Sequence, residues 1–126
     1  METQSILQHT KVKKTDTKKM ALEIAAAALE KKAEGLLILD VREITYIADY
    51  FIICSGSNTR QVKAITEEID FRLSKDGVFP SHVEGYPDCR WVLMDYGDVI
   101  VHVFDDEARF YYDLEGLWRD AGRVSV

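Results

Sequence analysis

Cysteine, proline and histidine are all scarce in this 126-residue chain, with two, two and three copies, and each scarcity excludes something. Cys54 and Cys89 cannot build a disulfide framework, so a reduced, cytoplasmic setting is the simpler expectation. His9, His82, His102, Cys54 and Cys89 offer no close pair at zinc-site spacing, so neither a metal nor a cofactor is expected. No apolar run approaches the ~20 residues that a bilayer crossing needs. Residues 1–19 have cations with no apolar stretch behind them, so a secretory leader is not expected there. A basic surplus is missing too: the net charge is -6, whereas a general nucleic-acid binder needs clustered cations to displace counterions from phosphates. There is no Walker loop and no G-x-G-x-x-G.

What is present is ordinary globular material, 47% hydrophobic and 30% charged, enough for one domain. Its charge is uneven. Lys11, Lys13, Lys14, Lys18 and Lys19 face only Glu2 and Asp16 in residues 1–19, a local +3 that leaves -9 for the other 107 residues. Residues 1–18 read as a flexible basic arm, either touching RNA or simply solvated, with the solvated end the simpler case. Residues 19–120 read as the folded domain and 121–126 as a short tail.

Met20 to Lys32 is rich in strong helix formers, and Gly35 is the expected left-handed stop. Leu36 to Val41 and Tyr50 to Cys54 are short apolar runs of the kind found in strands covered on both faces. A helix is expected from Thr59 to Lys75, capped by Asn58 with Gln61 returning the bond, and buried along Val62, Ile65, Ile69 and Leu73. A loop with Pro80, Gly85 and Pro87 leads to a hairpin: Arg90 to Asp95, a turn at Tyr96-Gly97, then Asp98 to Phe104. A last helix is expected from Asp105 or Asp106 to Arg119. This order predicts a small single-domain α/β fold, a mixed β-sheet packed with helices.

For catalysis, the best candidate is Gly56-Ser57, a strand-end turn of the type nucleotidyltransferases use to hold phosphate. Those enzymes also need paired carboxylates for magnesium. At a comparable distance this chain has Asp70-Phe71-Arg72, with one carboxylate only, and Asp95 with Asp98 flank a turn where acidic residues are common. His102 reads as a core or semi-buried histidine, and Cys54 as a small hydrophobe. The chain does not advertise a reaction.

It advertises surface instead. Both faces of the hairpin are apolar: Trp91 and Leu93 point opposite to Val92 and Met94, and Val99, Val101 and Val103 opposite to Ile100, His102 and Phe104. Something must cover both sides. On a continuous final helix, Phe110, Tyr111, Leu114, Leu117 and Trp118 would face the core, and Tyr112 would face outward beside Asp113 and Glu115. Asp105, Asp106, Glu107 and Asp120 extend an acidic rim opposed only by Arg109 and Arg119. An aromatic centre in such a rim suits a basic protein partner and repels RNA.

Asp49-Tyr50-Phe51-Ile52-Ile53-Cys54-Ser55-Gly56, Arg60-Gln61-Val62, Glu84-Gly85, the run Trp91 to Phe104 and the run Arg109 to Trp118 together resemble the ribosomal silencing factor family, also called Iojap. The resemblance spans residues 19–120 in order. It implies a nucleotidyltransferase-like core without catalytic carboxylates and no enzymatic activity. It also implies binding to the large ribosomal subunit through its protein number fourteen, with no specific nucleic acid required and no membrane. Occupying that surface would block association with the small subunit and lower translation when nutrients run short. A role in large-subunit maturation is the alternative implied, a nucleotidyltransferase-type enzyme a more remote one, and a homodimer is implied for the free protein. Carried onto this chain, the expected partner-binding residues are Trp91, Tyr96, Arg109 and Tyr112, followed by Met94, Asp98 and Glu115.

Overall fold

The computed structural model describes residues 14–126. For residues 1–13 the expectation of a flexible arm therefore lies outside the described residues. Residues 14–18 belong to helix α1 (Lys14–Glu30), which starts earlier than its apolar pattern suggested, and Thr17 is already buried. Ala21, Ile24, Ala25 and Ala28 carry the buried side of α1, and such small side chains allow close helix packing. The left-handed residue after α1 is Lys32 (φ 62), not Gly35. Gly35 (φ 55) lies inside strand β1 (Glu34–Asp40), at an irregularity in its pairing between Glu34 and Leu37.

Strand β2 (Tyr50–Gly56) is buried at all seven positions, as its unbroken apolar run requires of a central strand. Helix α2 (Thr59–Lys75) follows, with Val62, Ile65, Ile69 and Leu73 buried as expected and Thr66 beside them. The Asn58 side chain caps it by accepting from the Gln61 N–H at 2.9 Å. Gln61 does not return the bond to Asn58. Its Oε1 accepts from the Ser57 N–H at 2.8 Å, and its Nε2 donates to the Lys31 and Lys32 carbonyls at 3.2 and 2.9 Å. One side chain thus joins the end of α1 to the start of α2.

The loop expected after α2 contains a short strand, β3 (His82–Glu84), paired antiparallel with β4 (Trp91–Asp95). The hairpin partner is β5 (Val99–Asp105). Its tight turn is Gly97-Asp98 rather than Tyr96-Gly97, because the Tyr96 N–H donates to the Val99 carbonyl at 2.9 Å, and Gly97 takes φ 87 at the first central position. The final helix is not continuous. It breaks into α3 (Asp106–Tyr112) and α4 (Leu114–Leu117) at Asp113, which is left-handed at φ 44. The presumed tail contributes strand β6 (Gly122–Val124), paired with β1.

Among the described residues six strands lie in the order β3-β4-β5-β2-β1-β6, and of their pairings only β2–β5 is parallel, so the sheet is mixed. One face is sealed by α1 and α2 over residues such as Ile52, Cys54, Val92, Met94 and Val101. The other buries Leu39, Phe51, Ile53 and Phe104 beneath Ala108, Leu114, Trp118 and Ala121. That second cover is incomplete: Leu93 and Ile100 are only half-buried.

Candidate functional site

The incomplete cover leaves an apolar edge on the sheet, and α3 borders it. A seven-residue helix is too short to persist by itself, and Ala108 is the only residue that α3 buries. Its remaining anchors are polar and aromatic contacts. Asp105 Oδ1 accepts from the Ala108 N–H at 2.7 Å as the N-cap, and the Tyr112 ring lies 4.8 Å from the Trp91 ring. Arg109 adds four hydrogen bonds. Its Nε donates to Glu115 Oε2 at 3.0 Å, one terminal nitrogen to the Glu34 carbonyl at 3.1 Å and Ser55 Oγ at 3.3 Å, and the other to the Gly35 carbonyl at 2.7 Å.

Trp91 is the link between surface and core. It stacks on Phe104 at 4.9 Å, and its indole N–H donates to His102 Nδ1 at 3.1 Å. Burial pushes the His102 pKa down to about 4, so the ring is neutral and free to accept. Phe51 meets His102 edge-on at 5.8 Å and Trp118 at 4.8 Å. A row of rings thus crosses the second face from Trp118 through Phe51, His102 and Trp91 to Tyr112 and its neighbour Tyr111.

The exposed end of that row is large. Phe110 is 89% exposed, Tyr111 78%, Leu117 77% and Tyr112 52%. This corrects the expectation that Phe110, Tyr111 and Leu117 face the core. The left-handed turn at Asp113 resets the helical phase, so Leu114 and Trp118 pack inward while the three others are left outside. Trp91, Tyr111 and Tyr112 line one cleft with Asp88, Arg90 and Glu107. Arg90 is engaged there by Asp105 at 3.2 Å and Glu107 at 2.9 Å.

Of the seven residues the sequence singled out, the structure brings Trp91 and Tyr112 together. Asp98 is exposed, but at the hairpin turn. Tyr96 and Met94 are buried in the core shared with α1 and α2, where the sequence had expected partner contacts. The shifted turn explains Tyr96: it lies just past the end of β4 with its N–H bonded to the Val99 carbonyl, instead of sitting at the tip. Burial raises its hydroxyl pKa, with Asp70 adding to the effect. Arg109 and Glu115 pair with one another, both largely covered. Sequence reasoning missed the outward rings Phe110 and Tyr111. The break at Asp113 that turns them out packs against Gly116, where a side chain would meet the Asp113 carboxylate at 2.5 Å.

The other candidate site, Gly56-Ser57, is closed on itself. The Ser57 N–H and hydroxyl are both held by Gln61 Oε1, at 2.8 and 3.0 Å, so this turn does not point free donors at a phosphate. Asp70 lies exposed on α2. Among the described residues no three His, Cys, Asp or Glu side chains cluster as metal ligands. Cys54 is buried with its thiol pKa raised to about 12 by desolvation, so it is an inert hydrophobe.

Comparison with known proteins meets this geometry. The family profile described as "Ribosomal silencing factor during starvation" matches residues 14–126. The Bacillus subtilis protein named ribosomal silencing factor RsfS is 49% identical over 104 residues, covering 82% of this chain and 88% of that one. The maize chloroplast protein Iojap is 33% identical over 84% of this chain, which spans 46% of that longer protein. A crystal structure of a Bacillus halodurans protein superposes with a TM-score of 0.77 at 38% identity, covering 86% of this chain and 99% of the other.

Proposed function

Because the chain belongs to the ribosomal silencing factor family, a family of non-enzymatic ribosome-binding factors, we propose that it docks on the large ribosomal subunit through the aromatic edge of α3 and β4. It is a ribosomal silencing factor of the starvation type. The partner we assign is the basic large-subunit protein number fourteen, and the mechanism is steric: a subunit carrying this factor cannot also carry the small subunit. No helix among the described residues is long and apolar enough to cross a membrane, and we place the protein with the ribosomes of the cytoplasm.

One observation carries the choice of surface. Tyr111 and Tyr112 stand exposed over a half-covered Trp91, in a cleft bordered by Asp88 and Glu107. Rigid aromatic area with few rotatable bonds is what binding hot spots are made of, and an acidic border favours encounter with a cationic partner. Sucrose-gradient sedimentation of purified subunits tests the proposal. The protein is expected to migrate with the large subunit and to reduce the fraction of joined ribosomes. Migration with the small subunit, or undiminished joining at saturating protein, contradicts it. A large-subunit assembly role uses the same surface and is distinguished by binding to precursor particles in preference to mature subunits.

A further inference from the structure

Arg109 was expected among the partner contacts, yet its side chain is 14% exposed and four of its five N–H donors are used inside the protein. Its guanidinium reaches the Glu34 and Gly35 carbonyls, Ser55 Oγ and the Glu115 carboxylate. These acceptors come from the start of β1, the end of β2 and helix α4, so one side chain joins three elements to α3. The approach depends on a missing side chain: a Cβ on Gly35 would lie 2.8 Å from an Arg109 terminal nitrogen. Gly35 also has φ 55, a conformation other residues adopt at a cost.

We propose that Arg109, seated on Gly35 and paired with Glu115, is the positioning residue that holds α3 in the docking conformation and does not itself touch the partner. Resting on the docking surface assigned above, the proposal deepens it. With one small buried side chain, α3 is otherwise fixed by its Asp105 cap, the Arg90–Glu107 pair and the Tyr112–Trp91 ring contact, none of which reaches β1 or β2. Releasing the guanidinium frees the helix to leave the sheet, and Tyr112 loses its place on Trp91. Apparent affinity then falls by the fraction of molecules that keep α3 seated. Only a planar fork reaches carbonyls and a carboxylate in different directions, so lysine is not expected to substitute.

Amide hydrogen exchange of the full chain, measured beside large-subunit binding, tests this. Arg109→Ala and Gly35→Ala should each speed exchange across residues 106–112 at least tenfold, while the β2 and β5 amides keep their protection. Arg109→Lys should resemble Arg109→Ala. Subunit binding should weaken about tenfold in Arg109→Ala, and that loss should disappear when Arg109→Ala is added to Tyr112→Ala. Full additivity of the two substitutions would make Arg109 a direct contact and overturn the proposal. So would unchanged exchange in α3, or faster exchange throughout the sheet, which would mean a general loss of fold. If Tyr112→Ala binds as the parent does, the docking surface itself is wrong, and the positioning role for docking falls with it. The exchange data still report separately whether the clamp exists.

Discussion

At the residue scale, His102 couples stability to pH. Its folded pKa is lowered to about 4 from an ordinary 6.5 by burial, so between those values the unfolded chain binds the extra proton and the folded one does not. The stability it contributes is complete above about pH 6.5 and is lost as pH falls toward 4, a change of at most ~3 kcal/mol. Protonation also removes the acceptor that Nδ1 offers Trp91. His102→Gln, which can accept without charging, should flatten the fall in melting temperature between pH 6.5 and 4.5. Equal slopes in the two proteins would contradict this account. The burial of His102 was legible in the sequence, because it lies between Ile100 and Phe104 on one apolar face of its strand. The burial of Tyr96 was not. Whether it ends a strand or forms a turn depends on a single hydrogen-bond register, and Tyr96-Gly97-Asp98 is compatible with both.

Elements with a strong local signal were legible as well. The stripe Val62, Ile65, Ile69 and Leu73 specifies α2, and all four are buried. What the sequence concealed is how α2 is tied down. Gln61 fits a capping pattern, but its amide spans to the Lys31 and Lys32 carbonyls, partners thirty residues away that no local pattern contains. Gln61→Ala should therefore cost more than an exposed helix substitution, about 1–2 kcal/mol, while Lys63→Ala on the same helix should cost under ~0.5 kcal/mol. Equal losses in urea unfolding would show that the bridge carries no weight. The final helix was misjudged for a related reason. A left-handed Asp113 leaves little trace in composition, since Asp occurs freely at helix starts and turns alike. Phe110, Tyr111 and Leu117 consequently exchanged the interior for the surface.

At the scale of the whole molecule, the α/β class follows from the succession of patterns, whereas the sheet order does not. Pairing β6 with β1 closes a loop of some eighty residues, and the three residues involved have no strand signal of their own. A hairpin apolar on both faces does need cover, and the cover supplied from within the chain leaves Leu93 and Ile100 partly open, with Trp91 half-buried beside the exposed tyrosines. If charge guides the encounter, raising salt from 50 to 300 mM should slow association with the large subunit several-fold and change dissociation little. A salt-independent association rate would remove electrostatics from the account.

The most direct measurement is large-subunit affinity by sedimentation for three single variants. Tyr112→Ala should weaken binding by about 2 kcal/mol, roughly thirtyfold. Trp91→Phe should weaken it in the same direction, and Phe79→Ala, at another exposed ring outside the α3–β4 edge, should bind like the parent. Three equal affinities, or a loss confined to Phe79→Ala, would contradict a docking surface built on α3 and β4.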